Sequence, residues 1–276
     1  MPSEFLVLEC KAEGCVAEFY LNDVPVIRRG PELGKSFAGP IHQYLVDGVN
    51  ELAVVIEPGE TPSIAITGGE DAGRTRRTLQ GASIWAKLAR YPRGSATGGP
   101  DGVELLRVEW KSDAGGDARA WAFPRVVDGR VDLGPLKGRW AWQDAETLDL
   151  DEDEVGDLTF RLETLQESLE NGDPEPFLAL TGVRLDEFSR AYGNPPRDKI
   201  RQVRMAVQEL SAEPAWGVEP VDPDRFDLRL CGRNRLVQCI AKDWDPILRA
   251  KPDAEGGQVT WELFFSRIGG EWKVTR

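Results

Sequence analysis

The feature that most constrains the fold of this 276-residue chain is a run of acidic residues near its middle. Between Asp144 and Asp157 lie eight acidic residues and no basic one. Like charges repel one another, so such a run resists burial and favours a solvated linker. The apolar pattern also changes there, from the alternation of strands to the spacing of helices. We therefore predict two domains, residues 1–143 and 157–276, joined by an acidic hinge at 144–156.

The charge of the chain argues against nucleic acid as a partner. The formal net charge is −13, and the eight acids from Asp144 to Asp157 account for more than half of it, which leaves −5 for the rest. Binding to a phosphate backbone requires clustered Lys and Arg. The densest basic group, Arg74, Arg76 and Arg77, has no aromatic neighbours or helix start to specify a ligand, so we interpret it as a solvated loop. An acidic hinge instead predicts a protein partner with a basic surface.

The N-terminus and the cysteines predict a cytoplasmic protein without a metal or cofactor. Residues 1–8 lack the pattern of a signal peptide, and no apolar stretch approaches the ~20 residues of a membrane span. The four cysteines form two local pairs, neither with the C-x2-C spacing of zinc sites. We expect free thiols at Cys10, Cys15, Cys231 and Cys239. A disulfide between Cys10 and Cys15 would require an oxidising compartment.

The first 143 residues contain short apolar runs separated by turn residues, which predicts an all-β sandwich. In the strand that begins at Val103, alternation places Leu106, Val108 and Trp110 on the buried face. The segments 19–26 and 45–54 contain Asn22 and, later, Gly48 and Asn50. These segments resemble the galactose-binding-like jelly rolls that accompany many glycosidases, in which the glycine and asparagine form the turn before the last strand. The resemblance implies a fold and no sugar-binding residue.

The second domain is predicted to begin with helices and to end with strands. Leu158, Leu162, Leu165 and Leu169 share one helical face, with Asp157 as the N-cap. Further helices are expected at 176–180, along Leu185, Phe188 and Tyr192, and over 198–210. Strands are expected at 226–230, 236–242, 259–267 and 271–275, the last two forming a hairpin around Gly269 and Gly270.

The end of the chain, from Trp261 to Val274, reads WELFFSRIGGEWKV. It resembles the terminal hairpin of the SnoaL-like, or nuclear transport factor 2-like, superfamily, where a final G-x-W-x-V strand follows a long apolar one. The resemblance implies an α+β domain in which helices pack on a curved antiparallel sheet that encloses a pocket or serves as a scaffold. Pocket enzymes of this superfamily use Asp, His and Tyr, and the single histidine, His42, lies in the other half of the chain.

Three functions fit these observations. We favour a non-catalytic interaction or adaptor protein of bacterial type, immunity-like, because the chain offers one histidine, no nucleotide loop and no metal cluster. The first alternative is a small-molecule-binding or acid-base pocket protein, whose cavity would be lined by Tyr192, Trp216 and Asp243. The second alternative is a carbohydrate-binding accessory protein, in which exposed Trp140 and Trp142 would stack on sugar.

Overall fold

We describe the fold from a computed structural model, which covers the following residues: 4–58, 75–113, 120–136, 138–193, 195–242 and 244–276. The chain divides into two compact units, and the boundary in the sequence lies between Arg139 and Trp140. The first unit consists mostly of antiparallel sheets, and the second contains helices followed by further sheets. This order of elements is the coarse layout that the sequence predicted. The division into independently folding domains at residues 143 and 157 stays a prediction.

The described residues of the first unit form two antiparallel sheets of four strands each. One sheet has the order β4-β1-β7-β8, and the strands are β1 (Glu4–Glu13), β4 (Ser36–Pro40), β7 (Ser83–Pro92) and β8 (Val103–Lys111). The other has the order β10-β5-β2-β3, with β2 (Ala17–Leu21), β3 (Val24–Arg29), β5 (Val49–Ile56) and β10 (Arg125–Asp132). A short ribbon pairs β6 (Thr75–Arg77) with β9 (Trp121–Phe123).

The core of the first unit draws apolar side chains from both sheets. Leu8 and Leu88 from one sheet and Phe19 and Leu52 from the other are completely or almost completely buried. Val108 and Trp110 are buried as the alternation predicted, and Leu106 is half-buried. Two four-stranded antiparallel sheets with this burial are compatible with a β-sandwich.

The turn signature at Asn22, Gly48 and Asn50 is a hydrogen-bonded network. Asn50 is fully buried, and its side-chain amide nitrogen donates to the carbonyl oxygens of Val46 at 2.8 Å and Gly48 at 3.0 Å. Its side-chain oxygen accepts from the amide of Asn22 at 2.8 Å. Asn22 and Asp23 have φ of 52° and 66° and connect β2 to β3, so the apolar run that begins at Cys15 contains two strands and a tight turn.

In the second unit, the described residues form three α-helices and then a four-stranded antiparallel sheet. The helices are α1 (Glu152–Glu170), α2 (Glu175–Tyr192) and α3 (Pro196–Ser211). The sheet has the order β11-β12-β15-β16, with β11 (Phe226–Cys231), β12 (Leu236–Ala241), β15 (Leu263–Ile268) and β16 (Glu271–Val274). A two-stranded ribbon joins β13 (Leu248–Arg249) to β14 (Thr260–Trp261). Within the described ranges, no helix combines the length and the apolar character needed to cross a membrane.

The four leucines of α1 supply one side of the core of this unit, as their spacing predicted. Leu158, Leu162, Leu165 and Leu169 are fully buried and belong to one cluster with Phe265, Trp272 and Val274 of the sheet. The hairpin between β15 and β16 turns at Gly269 and Gly270, both with positive φ, which confirms the predicted turn.

Two helix boundaries differ from the prediction. The helix α1 begins at Glu152, and its N-cap is Asp151, whose Oδ1 accepts from the backbone N–H of Glu154 at 2.8 Å. Asp157, the predicted cap, lies inside the helix because acidic residues are favourable in a first turn and extend it backwards. The two helices predicted around 176–180 and 185–192 are one helix, α2, which continues through Gly182.

The acidic segment packs on the second unit at several points, whereas the sequence predicted a solvated hinge. Leu148 is buried in the core cluster of that unit. Glu146 accepts from the backbone N–H of Gly270 at 2.7 Å, and Glu154 pairs with Arg267 at 3.1 Å. A guanidinium and backbone donors supplied from the sheet therefore offset part of the repulsion within the run.

Candidate functional site

A pocket of about 520 Å³ opens between α2, α3 and the segment 259–262 of the second unit. Its volume lies within the roughly 300–1,000 Å³ of small-molecule sites. The lining is largely apolar, and its larger side chains are Phe177, Leu185, Phe188, Val203, Leu210 and Trp261. The arrangement can therefore accommodate an apolar ligand.

The helix α3 provides one wall, and the core covers only part of its apolar stripe: Val207 belongs to the core cluster, and Val203 packs against it. Val203, Val207 and Leu210 recur at helical spacing and all line the pocket. Of these, only Val207 is buried, while Val203 and Leu210 keep contact with solvent. The stripe that predicted this helix therefore faces a cavity over much of its length.

The opposite wall is α2, which runs antiparallel to α3. Short connections such as the one at 193–195 usually join antiparallel helices, and Gly193 at its start has φ of 76°. Glu175, at the beginning of α2, accepts two hydrogen bonds from Arg204 in α3, at 2.7 and 3.0 Å. This bidentate pair bridges the two helices near the pocket.

The third side of the pocket is formed where the predicted strand 259–267 is interrupted. Glu262 separates β14 from β15, and its backbone carbonyl oxygen accepts from Nη1 of Arg184 at 2.9 Å. The guanidinium of Arg184 also lies 5.3 Å from the centre of the Phe188 ring. Phe188 in turn stacks on Tyr192 with ring centroids 5.8 Å apart. These contacts fix an arginine and two aromatic rings on the α2 side of the pocket.

Glu262 is the acidic group of the pocket. Its side chain keeps a solvent-exposed surface because it borders the open pocket, although protein atoms surround its carboxyl group on most sides. This burial raises the pKa of the Glu262 carboxyl above its ordinary value, and the positive charge of Arg184 opposes the rise. Lys199, half-buried at the start of α3, is a second basic residue of the lining.

Of the three residues predicted to line a cavity, one lies in the lining of this pocket. Tyr192 lines the pocket. Trp216 lies behind it: the ring meets that of Trp261 edge to face at 6.3 Å, and the indole N–H donates to the carbonyl oxygen of Leu169 at 3.2 Å. Asp243 lies outside the described residues. Trp216 thus supports a wall of the pocket through Trp261.

The predicted tryptophan pair does not lie on one face of a strand. Trp140 precedes a 3-10 helix at Ala141–Asp144, and Trp142 within that helix is 4% exposed. The Trp140 ring lies 4.3 Å from the guanidinium carbon of Arg276. Because Trp142 is buried, the two rings do not form the exposed platform on which the carbohydrate alternative depended.

Sequence reasoning missed Arg184, Lys199 and Glu262. Lys199 precedes Val203 by four residues and so lies on the same helical stripe, which was a usable signal. Arg184 shares a stripe of α2 with Thr181 and Phe188, but this was hidden because α2 was predicted as two helices. The interruption of the strand at Glu262 has no local sequence signal that we recognise.

The cysteines and the histidine, the other reactive side chains considered, lie outside the pocket lining. All four cysteines are buried with free thiols, and burial raises the pKa of Cys10 and of Cys15 to about 12. In the first unit, Nε2 of His42 accepts from the backbone N–H of Leu6 at 3.0 Å. Among the described residues, no group of three or more His, Cys, Asp or Glu side chains is placed to hold a metal ion.

Comparisons with protein-family models, with curated proteins and with solved structures gave no match. The site is therefore interpreted from its own geometry. That geometry combines an apolar cavity with a few charged groups, which is the usual composition of a small-molecule site.

Proposed function

We propose that the second unit binds an apolar small molecule in the pocket between α2 and α3. The observation that carries this proposal is the apolar stripe of α3, which faces the pocket. Each Å² of apolar surface removed from water contributes roughly 25 cal/mol, so a ligand covering Val203, Leu210 and Trp261 would gain free energy from their desolvation. Tyr192, Lys199 and Glu262 would supply the few polar contacts that orient it.

The proposed folds agree with this function. We propose that the second unit is a nuclear transport factor 2-like domain, on the strength of the hairpin from Trp261 to Val274 and of helices packed on an antiparallel sheet. In that superfamily such a layout either encloses a pocket or serves as a scaffold, and the cavity between α2 and α3 favours the first. For the first unit we propose a galactose-binding-like jelly roll, supported by the turn at Gly48 and Asn50, as an accessory to the binding unit.

The function is tested by filling the pocket with a side chain. Ala206 lines the pocket, and its neighbour Met205 is 50% exposed on the same helix outside the lining. We expect Ala206→Trp to weaken binding of the neutral apolar dye Nile red by about tenfold or more, because the indole occupies the ligand space. Met205→Trp, the matched control, should leave the dissociation constant unchanged. Equal binding by both variants, or no binding by the unmodified chain, would refute the proposal.

A second proposal, an adaptor that binds a basic protein, is supported by the outer face of α1. Phe160 is 66% exposed there, and Asp153, Asp157 and Glu163 on the same helix are also exposed. An exposed aromatic ring among acidic residues suits a contact with a basic partner. Purification of the chain from its own cells in low and in high salt, followed by mass spectrometry, distinguishes the two: a salt-sensitive protein partner favours the adaptor, and a retained metabolite favours the pocket.

A further inference from the structure

The pocket has one apolar end and one charged end. Since α2 and α3 run antiparallel, Lys199 at the start of α3 faces the second half of α2, which contains Arg184. Phe177 near the start of α2 and Leu210 near the end of α3 line the other end. An occupant that matches both ends must itself be amphipathic.

The charged end carries more positive than negative charge. Its basic groups are Arg184 and Lys199, and its acidic group is Glu262. Arg184 is held by its hydrogen bond to the Glu262 carbonyl oxygen and by the Phe188 ring. No carboxylate in the described part of the chain lies within 4.0 Å of the Lys199 ammonium. A half-buried lysine whose ammonium has no carboxylate at that distance favours an anionic ligand group, because charge interactions are stronger where water is partly excluded.

We propose that the ligand is an amphipathic monoanion, a carboxylate on a hydrocarbon chain, with its acid group at Lys199 and Arg184 and its chain along Phe177, Val207 and Leu210. This inference rests on the proposed function of the pocket. A carboxylate forms hydrogen-bonded ion pairs with both cations, which a neutral or cationic head group cannot do. The apolar end would bury the hydrocarbon chain.

Glu262 gives the proposal a second consequence. Its carboxylate opposes a ligand carboxylate through like-charge repulsion, and the opposition falls when Glu262 holds a proton. Burial raises the pKa of this group, so the protonated form is more accessible than for an exposed glutamate. Lys199 should therefore strengthen the binding of an anionic ligand, and Glu262 should weaken it.

The test compares three ligands of one chain length by isothermal titration calorimetry on the full chain at pH 7. Decanoate, decan-1-ol and decylamine each contain ten carbon atoms, and their head groups at this pH are anionic, neutral and cationic. We expect decanoate to bind about tenfold more tightly than decylamine, and more tightly than decan-1-ol. Binding of decylamine or decan-1-ol as tight as that of decanoate would overturn the inference and leave the pocket proposal standing. Absence of binding by all three would instead count against the pocket proposal.

Two variants that each remove one charge then assign the head group to its site. Lys199→Gln should weaken decanoate roughly tenfold and leave decan-1-ol unchanged, because only the charged contact is lost. Glu262→Gln should strengthen decanoate about two- to fivefold by removing the repulsion. Arg201→Gln, in the same helix but outside the lining, is the matched control and should change neither ligand. A loss of decanoate affinity in Glu262→Gln, or equal losses for both ligands in Lys199→Gln, would contradict the assignment.

Discussion

The single histidine of the chain has a structural role that depends on its protonation state. Nε2 of His42 accepts from the backbone N–H of Leu6, which lies in β1, and only a neutral imidazole with its proton on Nδ1 offers that acceptor. Burial lowers the pKa of His42 below its ordinary value of 6.5. Two features of the folded state therefore favour the neutral ring: its burial and its hydrogen bond with Leu6.

This histidine predicts a loss of stability in mildly acidic solution. In the unfolded chain His42 takes up its proton near pH 6.5, whereas the folded chain does so only at a lower pH. The contribution of His42 to the free energy of unfolding should be greatest above pH 6.5. It should fall as the pH decreases below 6.5 and become constant once His42 is protonated in the folded form as well. Urea unfolding between pH 7.5 and about 5 measures the effect.

The control for this prediction is His42→Gln. Its side-chain oxygen keeps an acceptor for the Leu6 N–H and does not titrate in this range. The difference in unfolding free energy between the two chains isolates His42 from other groups such as Glu262, whose raised pKa acts with the opposite sign. A constant difference from pH 7.5 to 5 would show that His42 is not responsible.

At the level of elements, the start of α1 shows how a helix uses charges that repel one another in an extended chain. Asp151 caps the helix, and Glu152, Asp153 and Glu154 occupy its first turn, where the helix dipole favours negative charge. The side chain of Glu154 also accepts from the backbone N–H of Leu150 at 2.9 Å. Part of the acidic run is therefore a helix start and not a linker.

The position of the cap can be tested by two substitutions. We expect Asp151→Ala to lower the free energy of unfolding by about 1 kcal/mol, because a donor of the first turn loses its partner. Asp157→Ala removes only an exposed pair with Arg161 at 3.4 Å, and we expect a change of about 0.5 kcal/mol or less. Urea unfolding followed by circular dichroism measures both. The reverse order of effects would place the cap at Asp157.

Elements governed by local spacing were predictable, and interruptions governed by tertiary contacts were not. The leucines of α1 from Leu158 onwards and the glycine pair at 269–270 were predicted because their periodicity and turn chemistry are local. Gly182 lowers helix propensity, yet α2 continues through it because both halves of the helix pack against the rest of the unit. At the interruption, the Glu262 carbonyl oxygen accepts from Arg184, a residue distant in sequence that no local pattern links to it.

On the scale of the whole molecule, the two compact units place Trp140 and residues up to 156 with the second unit. Leu148 lies in its core, and Trp142 packs near Gly232 of the same unit. A fragment of residues 157–276 would lack both side chains, the Asp151 cap and the first turn of α1. Residues 140–276 contain all of them.

We therefore expect the two fragments to differ in stability. Removing two large buried side chains usually costs roughly 2–5 kcal/mol each, which is comparable to the net stability of a whole domain. Residues 140–276 should unfold cooperatively on heating, and residues 157–276 should unfold at a markedly lower temperature or remain unfolded. Circular dichroism during heating measures this. Equal transition temperatures would support the boundary predicted from the charge pattern.

The candidate site was less predictable than the fold. Of the candidate lining residues, Tyr192 lies in the lining of the pocket, and Trp216 lies one layer behind it, against Trp261. Lys199 and Glu262 were missed because their role depends on how α3 and the segment at 262 meet in space. Periodicity shows that a stripe is apolar, but it does not show whether the stripe meets a core or a cavity.

The wall that α3 presents to the pocket bears on how descendants of this chain would diverge. Substitutions at Leu158 or Leu162 are limited by the core, whatever the ligand. Val203 and Leu210 keep contact with solvent, so under the proposed function selection on them follows the shape of the ligand more than the stability of the fold. Lineages that adopt a new ligand should therefore vary first along α3, while α1 keeps its leucines.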